Sequence, residues 1–144
     1  MCCDIVVAGE TAKFGQPETN LGMISGGGGT AALTRLVGRA LAMMMVLTGE
    51  PIGAKEALTS GLVAQIVPAG TARTAACELA GKIAARAPLA MKAAKASIRD
   101  ADELPLSEHV MAERGRFVAL VGTADKSEGI AALKEKRAPC WLGS

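Results

Sequence analysis

Four consecutive glycines, Gly26, Gly27, Gly28 and Gly29, interrupt this chain early. A helix or strand interior is a poor place for such a run, because glycine loses more backbone freedom on ordering than any other residue. The run therefore reads as a connection. Before it the sequence alternates between strand-like and turn-like stretches; after it the pattern is almost entirely helical. Bare backbone of this kind suits three purposes: a phosphate cradle, a tight turn without chemistry, or the floor of an active site. The stretch that leads to it, FGQPETNLGMIS, carries one acid, Glu18, directly after a Gln-Pro pair.

The strand signals are few. Residues 3–8 read as a strand with apolar side chains on both faces, and a strand buried on both faces normally has neighbours on both sides. Residues 12–14 are a short candidate neighbour, and residues 62–67 form the other good strand. Three strands are too few for so buried a first strand, so the sheet is expected to be completed by further chain or by another chain. Helices are expected over residues 30–37, stopped by Gly38, and 39–47, stopped by the turn before Pro51. Others are expected over 54–60, closed by Gly61, and over 71–86 and 88–100. The last two are 106–121, opened by Ser107, and 124–137, capped by Thr123 and ended by Pro139. A composition boundary near residues 49–53 divides a first region, 1–50, from a helical second region, 51–144.

At 144 residues the length suits about one domain. Half of the residues are apolar, yet the aromatic ones are only Phe14, Phe117 and Trp141. The core must come from Ala, Leu, Val, Ile and Met. So few stacking rings, a net charge of +2 and no basic block argue against a nucleic-acid surface. The cysteines, Cys2, Cys3, Cys77 and Cys140, have no metal-ligand spacing and a single histidine, His109, to help them. No metal site is expected, and reduced thiols in an intracellular protein are the plain reading. The longest purely apolar run, residues 40–47, is far short of the ~20 residues of a membrane span. Asp4 and Glu10 stand where a signal peptide would be basic or apolar. His109 reads as a surface residue, and Met43, Met44 and Met45 as core packing.

Taken as a phosphate cradle, Gly26, Gly28 and Ala31 fit the GxGxxA form of the dinucleotide fingerprint, with Glu50 near the distance expected of a ribose-binding acid. The context is poor: residues 21–25 make a weak strand, and Gly38 falls where a helix should run. A Walker loop is excluded because no Lys-Ser/Thr follows the glycines. As a plain connection, the run would let Thr30 cap the next helix, and Glu18 would be an ordinary loop residue.

Three stretches carry a resemblance across the whole chain: CDIVVAGETAKFGQPETNLGMISGGGGTAALTRLVG, LAMMMVLTGEPIGAKEALTSGLVAQIVP and KSEGIAALKEKR. In order and spacing the chain resembles the C-terminal half of the enoyl-CoA hydratase/isomerase (crotonase) family. The resemblance implies an α/β fold, the end of a crotonase-like ββα spiral followed by a C-terminal helical trimerisation region. It places Glu18 where the family has a glutamate that transfers a proton at the α-carbon of an acyl thioester. An apolar pocket that raised the carboxyl pKa toward neutrality would suit that task. Leu21 matches a residue lining the acyl pocket, and Gly26 a backbone position that substrate approaches. Lys136 matches a basic residue near the phosphates of coenzyme A, where an ammonium group has an electrostatic reason to be. A solvated lysine at a helix end is the other reading of Lys136. Leu133 stands where the family often has an aromatic residue against the adenine, so adenine stacking is lost.

The resemblance further implies an acyl-CoA substrate, no separate cofactor, a homo-oligomer (trimer or hexamer), and the cytoplasm, or the mitochondrial matrix given an upstream targeting segment. The implied reaction is hydration of a 2-enoyl-CoA, as in fatty-acid β-oxidation. Δ3-Δ2 enoyl-CoA isomerisation and a non-catalytic oligomerising or CoA-binding remnant are the alternatives. The family's second glutamate and oxyanion-hole N–H groups are expected in segments before the Met1 position, so the chain is expected to be truncated at its N-terminus and a poor hydratase by itself. Ser25 replaces a usual proline, and Ala31-Ala32 replace a common Gln-Arg pair. Trp141 is expected to dock on a neighbouring subunit or to fray.

Overall fold

The computed structural model describes residues 3–144, in two compact units that divide between Leu79 and Ala80. This differs from the composition boundary near residue 50. The physical reason is strand pairing. β1 (Val7–Gly9) runs parallel to β4 (Gln65–Val67), with Ala8 opposite Ile66, so residues well past 50 are held to the start of the chain. Backbone bonds from Ala64 N–H to the Val6 carbonyl and from Glu10 N–H to the Val67 carbonyl, both 2.9 Å, extend that pairing.

The expected neighbour of the first strand went elsewhere. β2 (Lys13–Phe14) pairs antiparallel with β3 (Ile52–Gly53), a separate two-stranded ribbon with Phe14 opposite Ile52. The first strand is also shorter than its apolar pattern suggests, and Ile5 before it is exposed. Among the described residues β1 has a partner on one edge only. Such short two-stranded pieces are marginal alone and are held by packing against helices.

The helices of the first unit supply that packing. α1 (Gly29–Thr48) is one element by its hydrogen bonds, but Gly38, at φ 78° and ψ 163°, breaks it into the two arms the sequence suggests. α2 (Ala54–Thr59) follows β3, and Gly61, at φ 85°, turns the chain after it. Leu33, Ala42 and Met45 from α1 meet Ala8, Ile52, Ala57, Leu62 and Val63 in one cluster, with Phe14 packed at its margin. The core is aliphatic, as the composition requires. Each large side chain so buried contributes roughly 1.5–3 kcal/mol.

Consecutive residues point about 100° apart on a helix, and the methionine run shows it. Met45 is 1% exposed while Met43 and Met44 are 54% and 51% exposed, so only one of the three is core. α1 is 20 residues with a mean hydropathy of 1.4, long and apolar enough by those measures to cross a membrane. Gly38 divides it into arms well short of the ~20 helical residues a span needs.

α3 (Ala72–Ala84) runs through the boundary between the units. The second unit holds α4 (Pro88–Asp100), α5 (Leu106–Val121) and α6 (Ala124–Glu135). Arg116 of α5 ties itself to α4 through the Asp100 carboxylate and, at 3.1 Å, the Ser97 hydroxyl. α6 has the expected cap, with Thr123 Oγ1 accepting from the Lys126 N–H at 3.2 Å. α5 does not: Pro105 holds the cap position and Ser107 lies inside the helix. Lys136, at φ 54°, ends α6 three residues before the expected Pro139.

The terminal residues neither fray nor wait for a neighbour. Trp141 Nε1 donates to the Ala85 carbonyl at 2.9 Å, and the ring lies against Gly129, where an added Cβ would be 3.2 Å from Cη2. Asp125, buried at the start of α6, accepts from the Leu142 N–H at 2.7 Å and from the Gly143 N–H. Glu128 receives Arg137 in a two-pronged ion pair at 2.5 and 2.9 Å, and the Cys140 N–H at 2.7 Å. The Arg137 and Cys140 bonds hold the Glu128 carboxyl down to about 2, and the Arg137 guanidinium is raised in turn. Cys3, Cys77 and Cys140 are free and exposed; Cys2 lies outside the described residues.

Candidate active site

The turn that carries Glu18 is pinned along its length. β2 ends at Phe14, and Gly15 then passes so close to Pro51 that an added Cβ would be 3.2 Å from two of its carbons. Gln16 is buried at 5% exposure. Pro17 opens a 3-10 turn, Pro17–Leu21, where its fixed φ suits the first position and its missing N–H costs nothing. Glu18 is the second residue of that turn and is half-buried; its carbonyl accepts from the Met23 N–H at 3.1 Å. Thr19 Oγ1 donates to the Val46 carbonyl at 2.8 Å, which fastens the turn to the second arm of α1. Asn20 sits against Gly49, whose φ of 67° and lack of a side chain make room for the amide. Gly22, at φ 70°, closes the turn.

Beyond the turn the surface changes character. Leu21 is 74% exposed, and Met23 and Ile24 are exposed beside it in sequence, an apolar lip after the carboxylate. Leu21 thus lies open on this surface. Around Gly26, Gly27 and Gly28 an added Cβ would meet nothing within 4 Å, so this backbone is bare and approachable. Gly28, at φ 78°, is the N-cap of α1, and no side chain caps that end. Thr30 is not the cap: it lies inside the helix and its carbonyl accepts from Thr34 Oγ1 at 2.8 Å. Glu18 and Leu21 thus stand in the 3-10 turn and Gly26 in the bare glycine run that follows it, all on one continuous stretch of the first unit. Lys136 belongs to the second unit, exposed at the end of α6 near the exposed Leu133.

The dinucleotide reading fails on its strand. Residues 21–25 are turn and coil, and the glycines follow a 3-10 turn where that fingerprint needs a strand leading into a helix. Among the described residues no group of His, Cys, Asp and Glu is placed to hold a metal ion.

A hollow of about 250 Å³ is lined by Lys13, Phe14, Gly15, Gln16, Leu33, Met45 and Leu62. Two larger ones, about 470 and 330 Å³, lie in the second unit between α4 and α5 and beside Trp141, and take in none of the expected site residues. His109 borders the first of these, half-buried with Nδ1 lacking a partner among the described residues, rather than on the open surface. The residue sequence reasoning passed over is Gln16. Its signal in the sequence is the glutamine of FGQPE itself, a polar residue between Gly15 and Pro17.

The description of one family model, Enoyl-CoA hydratase/isomerase, matches residues 1–144. The chain belongs to the enoyl-CoA hydratase/isomerase family. It is similar to the 2,3-dehydroadipyl-CoA hydratase of Escherichia coli, 45% identical over 143 residues, covering 99% of this chain and 56% of the relative. It is similar also to the mitochondrial enoyl-CoA hydratase of Pongo abelii, 45% identical over 137 residues, covering 95% of this chain and 47% of that one. Among solved structures, an enoyl-CoA hydratase from Bacillus anthracis superposes with a TM-score of 0.94 at 38% identity, over 99% of this chain and 55% of that one. The fold is thus the mixed α/β crotonase fold. The chain spans about half the length of the relatives it matches.

Proposed function

We propose that this chain carries one catalytic carboxylate, Glu18, of an enoyl-CoA hydratase-type active site, and that a 2-enoyl-CoA is the substrate. One observation carries the reading: a half-buried glutamate in a turn pinned by Gly15, Thr19 and Asn20, followed by bare glycine backbone. Side-chain-free backbone lets a thioester approach, and a fixed turn spares the entropy of aiming the carboxyl group.

In the proposed reaction, the oxygen of water bonds to C3 of the enoyl thioester while the C2–C3 double bond is lost. The electron pair moves onto the thioester as an enolate. Glu18, as general acid, starts in the protonated form and gives that proton to C2, which forms the 3-hydroxyacyl-CoA; exchange with solvent then restores both carboxyl groups. The proton that water gives up goes to a second carboxylate, and backbone N–H donors stabilise the enolate oxygen, an effect worth several kcal/mol in comparable sites. Those groups are proposed to lie outside these 144 residues. Leu21 is proposed to line the acyl path, Gly26 to face the thioester, and Lys136 to attract the coenzyme A phosphates. No cofactor beyond the acyl-CoA is proposed. The exposed Leu106, Met111 and Phe117 on α5 support a homo-oligomer; relatives named as mitochondrial support a matrix setting and bacterial relatives a cytoplasmic one.

The family's isomerase chemistry is the second reading, because shuttling one proton between C4 and C2 needs only the Glu18 carboxylate. Product analysis separates the two. The chain, alone and combined with the complementary portion of a hydratase relative, is offered a 2-enoyl-CoA and a 3-enoyl-CoA. A 3-hydroxyacyl product from the first supports hydration. Conversion of the second with none of the first supports isomerisation. No conversion of either in the combined form contradicts both and favours a non-catalytic role.

A further inference from the structure

The glycine run and the turn that carries Glu18 meet at one pair of residues. A Cβ built at Gly29 would lie 2.5 Å from Gln16 Nε2 and would also run into Ser25 Oγ. Real Cβ atoms do not come so close to a neighbour, so a side chain at 29 would push the ends of Gln16 and Ser25 aside, and their present placement goes with glycine at 29. Gln16 is the residue before the 3-10 turn, two positions from Glu18, and is buried at 5% exposure. Its Oε1 is buried without a hydrogen-bond partner among the described residues. A buried amide oxygen left unpaired costs roughly 1–3 kcal/mol. The amide nitrogen lies in the space that the missing side chain of Gly29 leaves.

We propose that Gln16 is a positioning residue, a wedge that sets the spacing between the glycine run and the turn bearing Glu18. This rests on Glu18 as the proton-transferring group. With the wedge in place, the first turn of α1 and the preceding bare glycines keep one distance from the carboxylate, and a thioester seated on the backbone meets it at a fixed height. Without the wedge the loop settles toward the turn. Because the wedge acts by shape, methionine, similar in length and free of an unpaired polar atom, replaces it.

The test measures kcat, KM and the thermal midpoint of the chain combined with the complementary portion of a relative. Gln16→Ala is expected to lower kcat about 10²-fold, the penalty of a displacement near 1 Å, while KM for the acyl-CoA holds. Gln16→Met is expected to retain kcat within about twofold, with a midpoint no lower than the parent's. Gly29→Ala is expected to lose activity and to regain at least about tenfold when Gln16→Ala and Ser25→Ala are added, the signature of two sites in contact. Should Gln16→Ala fail to fold, that rescue decides alone. A folded Gln16→Ala enzyme with unchanged kcat, or a Gly29→Ala defect that the added changes do not relieve, overturns the wedge. Glu18→Gln is run beside them. If it abolishes turnover while Gln16→Ala does not, the wedge falls and the catalytic reading stands; if it leaves turnover intact, the catalytic reading falls.

Discussion

Thr19 Oγ1 donates to the Val46 carbonyl at 2.8 Å, joining the turn after Glu18 to a helix 27 residues away in sequence. The bond satisfies a carbonyl near the end of α1 that has no helical donor to follow it. Thr19→Val, which keeps the shape and removes the hydroxyl, is expected to cost about 1 kcal/mol. Thr19→Ser is expected to recover most of it. Urea denaturation with an unchanged slope checks both.

The methionines of α1 separate burial from hydrophobicity. Met45→Ala empties a site that is 1% exposed and is expected to cost about 2–5 kcal/mol. Met43→Ala and Met44→Ala, at half-exposed sites, are expected to stay within about 0.5 kcal/mol in the isolated chain. Thermal denaturation of the three variants side by side makes the comparison.

The helical pattern was legible because it is local. Pro88 and Asp100 bound α4 where periodicity placed it, Gly38 breaks α1, and Thr123 caps α6, all read from neighbours within a turn or two. Strand partners were not legible. Residues 12–14 looked adjacent to the first strand, yet Phe14 pairs with Ile52 and Ala8 with Ile66, choices set by how α1 and α2 close the core between them. At the candidate site the glycine run stood out by itself, whereas Glu18 was singled out by the family motif and read by its chemistry alone as an ordinary loop residue. Gln16 did not stand out, because its meaning depends on Gly29, distant in sequence and close in space.

Thr123 and Ser107 looked alike as helix caps, and only one is. Thr123→Ala removes the bond to the Lys126 N–H and is expected to cost about 0.5–2 kcal/mol, whereas Ser107→Ala is expected to cost almost nothing. Chemical denaturation of the two variants distinguishes them.

The terminal residues are expected to respond to acid through Glu128. Its folded pKa, about 2, lies below the ordinary 4.5, so its stabilising contribution is complete above 4.5 and is lost as pH falls toward 2. The same carboxylate holds Arg137 and the Cys140 N–H, next to Trp141, the sole tryptophan. Tryptophan fluorescence is therefore expected to change across that window, and added salt is expected to weaken the effect because the pair is reachable by solvent. In Arg137→Gln the transition is expected to begin at higher pH, and an identical profile would remove Glu128 as its cause.

The most direct test of the account is the turnover of a 2-enoyl-CoA by Glu18→Gln, combined with the complementary portion of a relative. Glutamine keeps the size and the turn but cannot give up a proton to C2. The expected result is a kcat lower by about 10²–10⁴-fold with KM little changed, as for loss of a positioned general acid. A variant that turns over like the parent would contradict the assignment of Glu18, and with it the role given to the loop it stands in.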